Sequence, residues 1–411
     1  MRVLWFSVTP SLFNPFSNSH NGGGWIASLE QIVRNSDVMD LGIAFYFGND
    51  YNVYDNDGVK YYTLPNDHRS LIQRLVASDD TSARIDRYLK IIDDFKPDII
   101  HVFGSENDFG LICDKTDIPV VIHMQGSLPP YHNALFPVGM NKSDFLSGRG
   151  LTWRRRLIGW RSESSFRRKA ERETKILKNC RFFMGRTAWD KNIVKLFNPS
   201  ALYYHCEEAL RDSFINGDKA WKYRERTKML IVSVISNPWY KGVDLILKTA
   251  KLLKVNVGLD FEWAVYGVSD IRFFENKYGI KAHDVNVDIK GSVGKETLVD
   301  ALCDASCYVH TSYIDNSPNS LCEAQYLGVP VLATYVGGIP SLVEDGHTGI
   351  LFPANDPYTL AGHLQAIYNN RQFSEELGNA ARRIAIDRHN PDSIGASLLN
   401  IYREILKCKN S

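Results

Sequence analysis

The stretch that decides the fold runs Ser312-Tyr313-Ile314-Asp315-Asn316-Ser317-Pro318-Asn319-Ser320-Leu321-Cys322-Glu323-Ala324 and continues Gln325-Tyr326-Leu327-Gly328-Val329-Pro330-Val331-Leu332-Ala333-Thr334. The apolar run Cys307-Tyr308-Val309-His310 ahead of it reads as a buried strand. Asn316 to Ser320 is rich in turn formers, and Pro318 disfavours helix before it. A helix is predicted from Asn319 or Ser320, both good capping residues, to about Leu327, where Gly328 stops it. The β-branched run 329–334 is the next strand. This order leaves free N–H groups of a helix start beside a loop, a natural seat for phosphate. Asp315 and Glu323 bracket that seat. Carboxylates sit badly against phosphate, so hydroxyls on either side of a diphosphate are their expected partners. A sugar and a ribose would supply them. An ordinary strand–turn–helix of any α/β protein is the alternative reading.

The chain has 411 residues, enough for two or three domains with substantial cores. A formal charge of +1 provides no global field to recruit nucleic acid, and 44 % apolar content fits a globular protein. Seven cysteines (113, 180, 206, 303, 307, 322, 408) form no Cys-x-x-Cys pair, and the expectation is reduced, mostly buried thiols of a cytosolic protein. Residues 1–8 read as a first strand rather than a signal-peptide core. No apolar run approaches the roughly 18 residues of a membrane span.

Upstream, strand and helix patterns alternate: strands over 3–8, 41–47, 59–63, 97–102 and 119–123, helices over 70–77 and 83–95. Alternation of this kind argues a parallel, doubly wound sheet, whose ligands collect at the carboxyl ends of the strands. His123 and His101 each end a strand. A lone histidine is more often structural, and His101 keeps that reading, with Gly104-Ser105-Glu106 after it a candidate cleft lining. Gly22-Gly23-Gly24-Trp25 opens a helix, where glycines let backbone approach a ligand. Gly22-x-Gly24-x-x-Ala27 formally satisfies a dinucleotide fingerprint but lies too far past its strand, which argues against a nicotinamide site. A flexible loop is the other reading.

Residues 151–173, LTWRRRLIGWRSESSFRRKAERE, form a basic helix with Trp153, Leu157, Trp160 and Ser164 on one face. Such a helix can lie on an anionic bilayer, or it can cover a core with a solvated basic face. The charged stretch 211–227 has the polarity of a linker. The pattern then restarts with a strand over 228–236 and a turn that sets Lys241 beside a helix start, where a lysine can neutralise a diphosphate.

The two acids separated by seven residues, followed by a helix and Gly328-Val329-Pro330-Val331, resemble the family 4 retaining glycosyltransferases of the GT-B fold. The first acid is Asp315, where the family usually has Glu, one methylene longer. Lys241-Gly242 matches the family's diphosphate turn, but the preceding arginine is missing. Arg186 or another base could replace it, or the clamp could rest on Lys241 and hydrogen bonds. Gly337-Gly338-Ile339-Pro340 and Gly346-His347-Thr348-Gly349 complete the pattern.

The resemblance implies two Rossmann-like doubly wound α/β domains facing a central cleft. These are an acceptor-side domain over 1–210, a linker over 211–227, a donor domain over 228–388, and a helix over 389–411 crossing back to the first. It implies transfer of a sugar, with retained configuration, from a nucleotide-diphosphate sugar to a hydroxyl of a glycan or lipid-linked acceptor, with a UDP-sugar the expected donor. His123 and Asp315 would orient the sugar. Gly23, Gly24, Lys241, Gly267, Val293, Asn319, Ser320, Leu321 and Glu323 would bind the donor, Val293 beside the base and Glu323 at the ribose. No metal or cofactor is expected, since no Asp-x-Asp pair lies in a suitable loop, and no nucleic acid partner. The expected place is the cytoplasm, with 151–173 touching the inner membrane face. A nucleotide-sugar 2-epimerase and a catalytically silent nucleotide-sugar binder share these features and remain alternatives.

Overall fold

The structure, a computed structural model, describes residues 1–13, 24–36, 38–66, 81–148, 153–236 and 238–409. The chain forms two compact units: residues 1–129, 168–211 and 389–411 make the first, and 130–167 with 212–388 the second. This differs from the expected division, because 130–167 groups with the second unit. Met140 lies in the second unit's core, Phe145 packs edge-on against Trp239, and Lys277 pairs with Asp144 at 2.7 Å.

The first unit is built on strands β1 (Arg2–Phe6), β2 (Asp40–Tyr46), β3 (Asn52–Asn56), β4 (Val59–Leu64), β5 (Ile99–Phe103), β6 (Val120–His123), β7 (Phe182–Gly185) and β8 (Leu202–His205). Their order is β3-β4-β2-β1-β5-β6-β7-β8, parallel except for the β3–β4 hairpin. Alternation along β1 sends Val3 and Trp5 to one core layer and Leu4 and Phe6 to another, so the sheet is covered on both faces. The helix Pro391–Lys409 belongs here, with Ile394, Leu398, Ile401, Tyr402 and Ile405 buried at helical spacing against β1 and β5. Tyr402 takes the Trp5 indole N–H at 3.1 Å and bonds His101 Nδ1 at 2.6 Å.

Cys113 and Cys180 are paired as a disulfide with Cα atoms 5.3 Å apart, which corrects the expectation of reduced thiols for two of the seven. Cys113 follows the short turn after β5, and Cys180 follows the helix Trp153–Asn179. The fold joins positions 67 residues apart, a pairing that spacing alone does not reveal. In that helix, Ala170, Glu173, Ile176 and Leu177 face the core while Arg167, Arg168 and Lys169 are exposed. The helix expected over 70–77 and the side chains of 151–161 lie outside the described residues. Among the described residues no helix is long and apolar enough to cross a membrane.

The second unit holds β9 (Met229–Val234), β10 (Phe261–Tyr266), β11 (Val287–Gly291), β12 (Cys307–His310), β13 (Val331–Thr334) and β14 (Ile350–Phe352). All pairs are parallel, in the order β11-β10-β9-β12-β13-β14. Chain order reverses between β9 and β12, which makes the space beyond their carboxyl ends the switch point of the sheet.

Candidate active site

Lys241-Gly242 follows β9, and Thr311 to Asp315 follows β12, so the switch point brings the two segments together. Gly242 is left-handed (φ +77) and lies so close to the Thr311 carbonyl that a Cβ would collide with it. The Thr311 hydroxyl donates to the Lys241 carbonyl at 2.7 Å, and the Tyr313 N–H to the Tyr240 carbonyl at 2.7 Å. On the other side Gly337 (φ +54) presses on the Asp315 carbonyl, which also accepts from the Gly338 N–H at 2.9 Å. The loop holding Asp315 is therefore fixed by backbone contacts from two directions.

Asp315 is 5 % exposed. Its Oδ2 takes the Lys241 ammonium, His310 Nε2 at 2.9 Å and the Ser312 hydroxyl at 3.2 Å. Its Oδ1 takes the Tyr131 hydroxyl and the Asn316 N–H, each at 3.2 Å. Burial alone would raise its pKa, but Lys241 and the His310 hydrogen bond overcome it and hold the carboxyl well below the usual range. Burial pushes the His310 imidazole down, against the opposing pull of Asp315, so the ring is neutral. The two residues expected at different parts of a donor, Lys241 at the diphosphate and Asp315 at the sugar, are thus paired with each other.

The helix Asn319–Leu327 begins after Pro318, which provides no side-chain cap. The Leu321 N–H donates to the Pro318 carbonyl at 3.0 Å. Among the described residues the backbone N–H groups of Asn319 and Ser320 have no acceptor. Glu323 is buried one turn further in (1 % exposed). Gly267 (φ +93) closes on the Ile235 carbonyl beyond β10, and Val293 is half-buried beyond β11, both at carboxyl ends of the same sheet.

In the first unit His123 ends β6. It is fully buried, and neither ring nitrogen has a hydrogen-bond partner among the described residues. Burial, followed by His101 and Arg186, drives its pKa well down, so it is neutral. Its ring lies 5.0 Å from that of Trp25, one residue into the helix Gly24–Ser36, so Gly24 opens the helix that packs on His123. Gly23 lies outside the described residues. Arg186 is committed within the first unit to Glu208 at 2.6 Å, both side chains buried, which removes it as a ready substitute for the missing clamp arginine. His101 is a core residue, held by Tyr402 and stacked on Phe103, with its pKa lowered to about 3 by burial.

Sequence reasoning missed Tyr131, His310 and Ser312. His310 carried a usable signal, because it ends a strand as His123 does and lies next to the focal turn. Tyr131, distant in sequence and in no recognisable pattern, carried none.

Residues 218–384 match the family model for glycosyl transferases group 1. Over 116 residues the chain is 38 % identical to a D-inositol 3-phosphate glycosyltransferase of Streptomyces coelicolor, covering 28 % of this chain and 25 % of that one. Over 144 residues it is 26 % identical to a Campylobacter jejuni α-1,4-N-acetyl-D-galactosaminyltransferase acting on an undecaprenol-linked glycan, covering 35 % and 39 %. The matched region is thus well under half the length of these relatives. Sucrose-phosphate synthase from Thermosynechococcus elongatus superposes over 99 % of this chain and 100 % of its own, with TM-score 0.70 and 15 % identity. Anabaena HepE, in complex with UDP and glucose, does so over 98 % and 100 %, with TM-score 0.62 and 13 % identity. The chain therefore has the GT-B fold, and its residues 218–384 are similar to the glycosyl transferases group 1 family.

Proposed function

We propose that the protein is a retaining glycosyltransferase that moves a sugar from a UDP-sugar to a hydroxyl of a glycan or lipid-linked acceptor, in surface polysaccharide or glycoconjugate assembly. The observation that carries this reading is the group at the β9–β12 switch point. There Lys241 pairs with Asp315, and the helix that follows the same loop carries the open amides of Asn319 and Ser320 and the buried acid Glu323, all within the matched region. Lys241 and the helix start neutralise the diphosphate as it leaves, a task that otherwise falls to a metal ion. Asp315 takes a sugar hydroxyl and Glu323 the ribose; in the first unit the unsatisfied nitrogens of His123 are suited to a hydroxyl as well. The acceptor oxygen attacks on the leaving-group face, so configuration is retained without a carboxylate nucleophile. The exposed cations of 167–169 support peripheral contact of the basic helix with an anionic membrane face on the cytoplasmic side.

The test is calorimetry of UDP, GDP and ADP without added metal. UDP alone binding clearly supports the donor assignment. No binding by any of the three, even with magnesium, removes the reading. Conversion of a UDP-sugar to its 2-epimer without acceptor would replace it with the epimerase.

A further inference from the structure

A chain of hydrogen bonds runs behind the candidate site. The Ser320 hydroxyl, in the first turn of the helix Asn319–Leu327, is 2.7 Å from the Tyr308 hydroxyl. The Tyr308 hydroxyl is 3.2 Å from His310 Nδ1, and His310 Nε2 is 2.9 Å from Asp315 Oδ2. Tyr308 is fully buried and His310 is 3 % exposed. Strand β12 makes the chain possible, since residues two apart point to the same face.

Chemistry fixes the direction of every proton. An ionised carboxylate only accepts, so Nε2 carries the imidazole hydrogen and Nδ1 is the acceptor. Tyr308 must then donate to Nδ1, and its oxygen accepts from Ser320. Ser312 fits the same scheme, with its oxygen 2.8 Å from Nε2 and its hydrogen on Asp315. The single Nε2 hydrogen is shared between Asp315 Oδ2 and the Ser312 oxygen, and the ring cannot turn over without breaking its bonds to Asp315 and Tyr308.

We propose that His310 is a positioning residue for Asp315, fixing its carboxylate and tying it through Tyr308 to the helix start at Ser320. The ring reaches Oδ2 from the strand side and adds a fixed donor to those that Lys241 and Ser312 supply there. This rests on the proposed role of Asp315 toward a donor sugar. His310 itself touches no substrate. Its loss should therefore affect turnover while leaving nucleotide binding in place.

The test uses the full chain with His310→Phe, His310→Gln and Tyr308→Phe. UDP affinity is read by calorimetry, and turnover of UDP-glucose and UDP-N-acetylglucosamine with water as acceptor. For His310→Phe we expect kcat to fall about ten- to a hundredfold, the size of a lost charge-assisted hydrogen bond, with UDP affinity within about twofold of wild type. His310→Gln, which keeps an N–H donor, should recover most of that loss, and Tyr308→Phe should show a smaller one. Wild-type kcat in His310→Phe, or equal losses in the Phe and Gln variants, overturns the proposal. Ring-nitrogen NMR of histidine-labelled wild type gives a second arm that needs neither turnover nor a stable Phe variant. The resonance missing from His310→Gln should report a neutral ring protonated on Nε2, and a ring protonated on Nδ1 or charged overturns the proposal. Failure of wild type to bind UDP would instead remove the transferase reading, leaving the NMR result to judge the His310–Asp315 link.

Discussion

The Lys241 ammonium lies on the Asp315 carboxylate with only 13 % and 7 % of the two side chains exposed. Removing one partner of such a pair leaves the other as an uncompensated buried charge. Lys241→Ala should cost about 3–5 kcal/mol of stability. The double variant Lys241→Ala/Asp315→Asn should recover a good part of it, read by urea denaturation. Equal stabilities of the single and double variants would show that the pair is not coupled. UDP affinity should fall about 30- to 150-fold in Lys241→Ala, for about 2–3 kcal/mol of lost charge-assisted contact.

The same pairing predicts a pH dependence. Asp315 is held well below the ordinary carboxyl range, so it contributes stability above its unfolded pKa of about 3.9 and loses it as pH falls further. Acid titration should therefore destabilise wild type more steeply than Asp315→Asn below about pH 4. Parallel curves for the two proteins would contradict the assignment.

His123 buries two nitrogens that have no partner among the described residues, a cost that a bound hydroxyl would relieve. His123→Phe should fold with a Tm equal to or above wild type while turnover falls at least about a hundredfold. A variant that is both active and equally stable would make His123 a core residue only. Calorimetry and turnover with a UDP-sugar give the two readings.

Glu173 is fully buried in the first unit, where it accepts from the Ser105 hydroxyl and the Leu128 N–H, each at 2.6 Å. Burial, with the nearby Glu106 charge, raises its pKa to about 7. The folded state then holds a proton that the unfolded chain has released, so stability falls as pH rises from about 4.3 and levels off near 7. Glu173→Gln should remove that fall and gain about 2–3 kcal/mol at neutral to alkaline pH. Denaturation midpoints measured across pH decide it.

Much of the second unit was legible because its signals are local. The turn formers at 316–320, Gly328 and the β-branched run after it fix strand, helix and strand in order, and the observed helix is Asn319–Leu327. The β3–β4 hairpin was missed although Asp57-Gly58, both at positive φ (52° and 76°), is a strong two-residue turn signal; strand β3 is exposed at all five residues and carries no apolar alternation to mark it. The Cys113–Cys180 pairing and the grouping of 130–167 depend on contacts between distant segments and leave no local trace. At the site, residue types were readable but partners were not. Lys241 and Asp315 were each recognised by motif, while their mutual ion pair follows from the adjacency of β9 and β12.

The bond from Trp5 to Tyr402 spans 397 residues. During synthesis the first strand leaves the ribosome long before the helix that covers it exists, so one face of its sheet waits exposed while the entire second unit is made. Loop closure over that separation is slow, and the uncovered strand face of Val3 and Trp5 is open to misassociation meanwhile. In sequence, residues 212–388 of the second unit separate residues 168–211 of the first from 389–411, so they are synthesised before the covering helix is made. Nascent chains of this protein should thus depend on holdase chaperones until residue 402 has emerged, and they become resistant to protease only after that point.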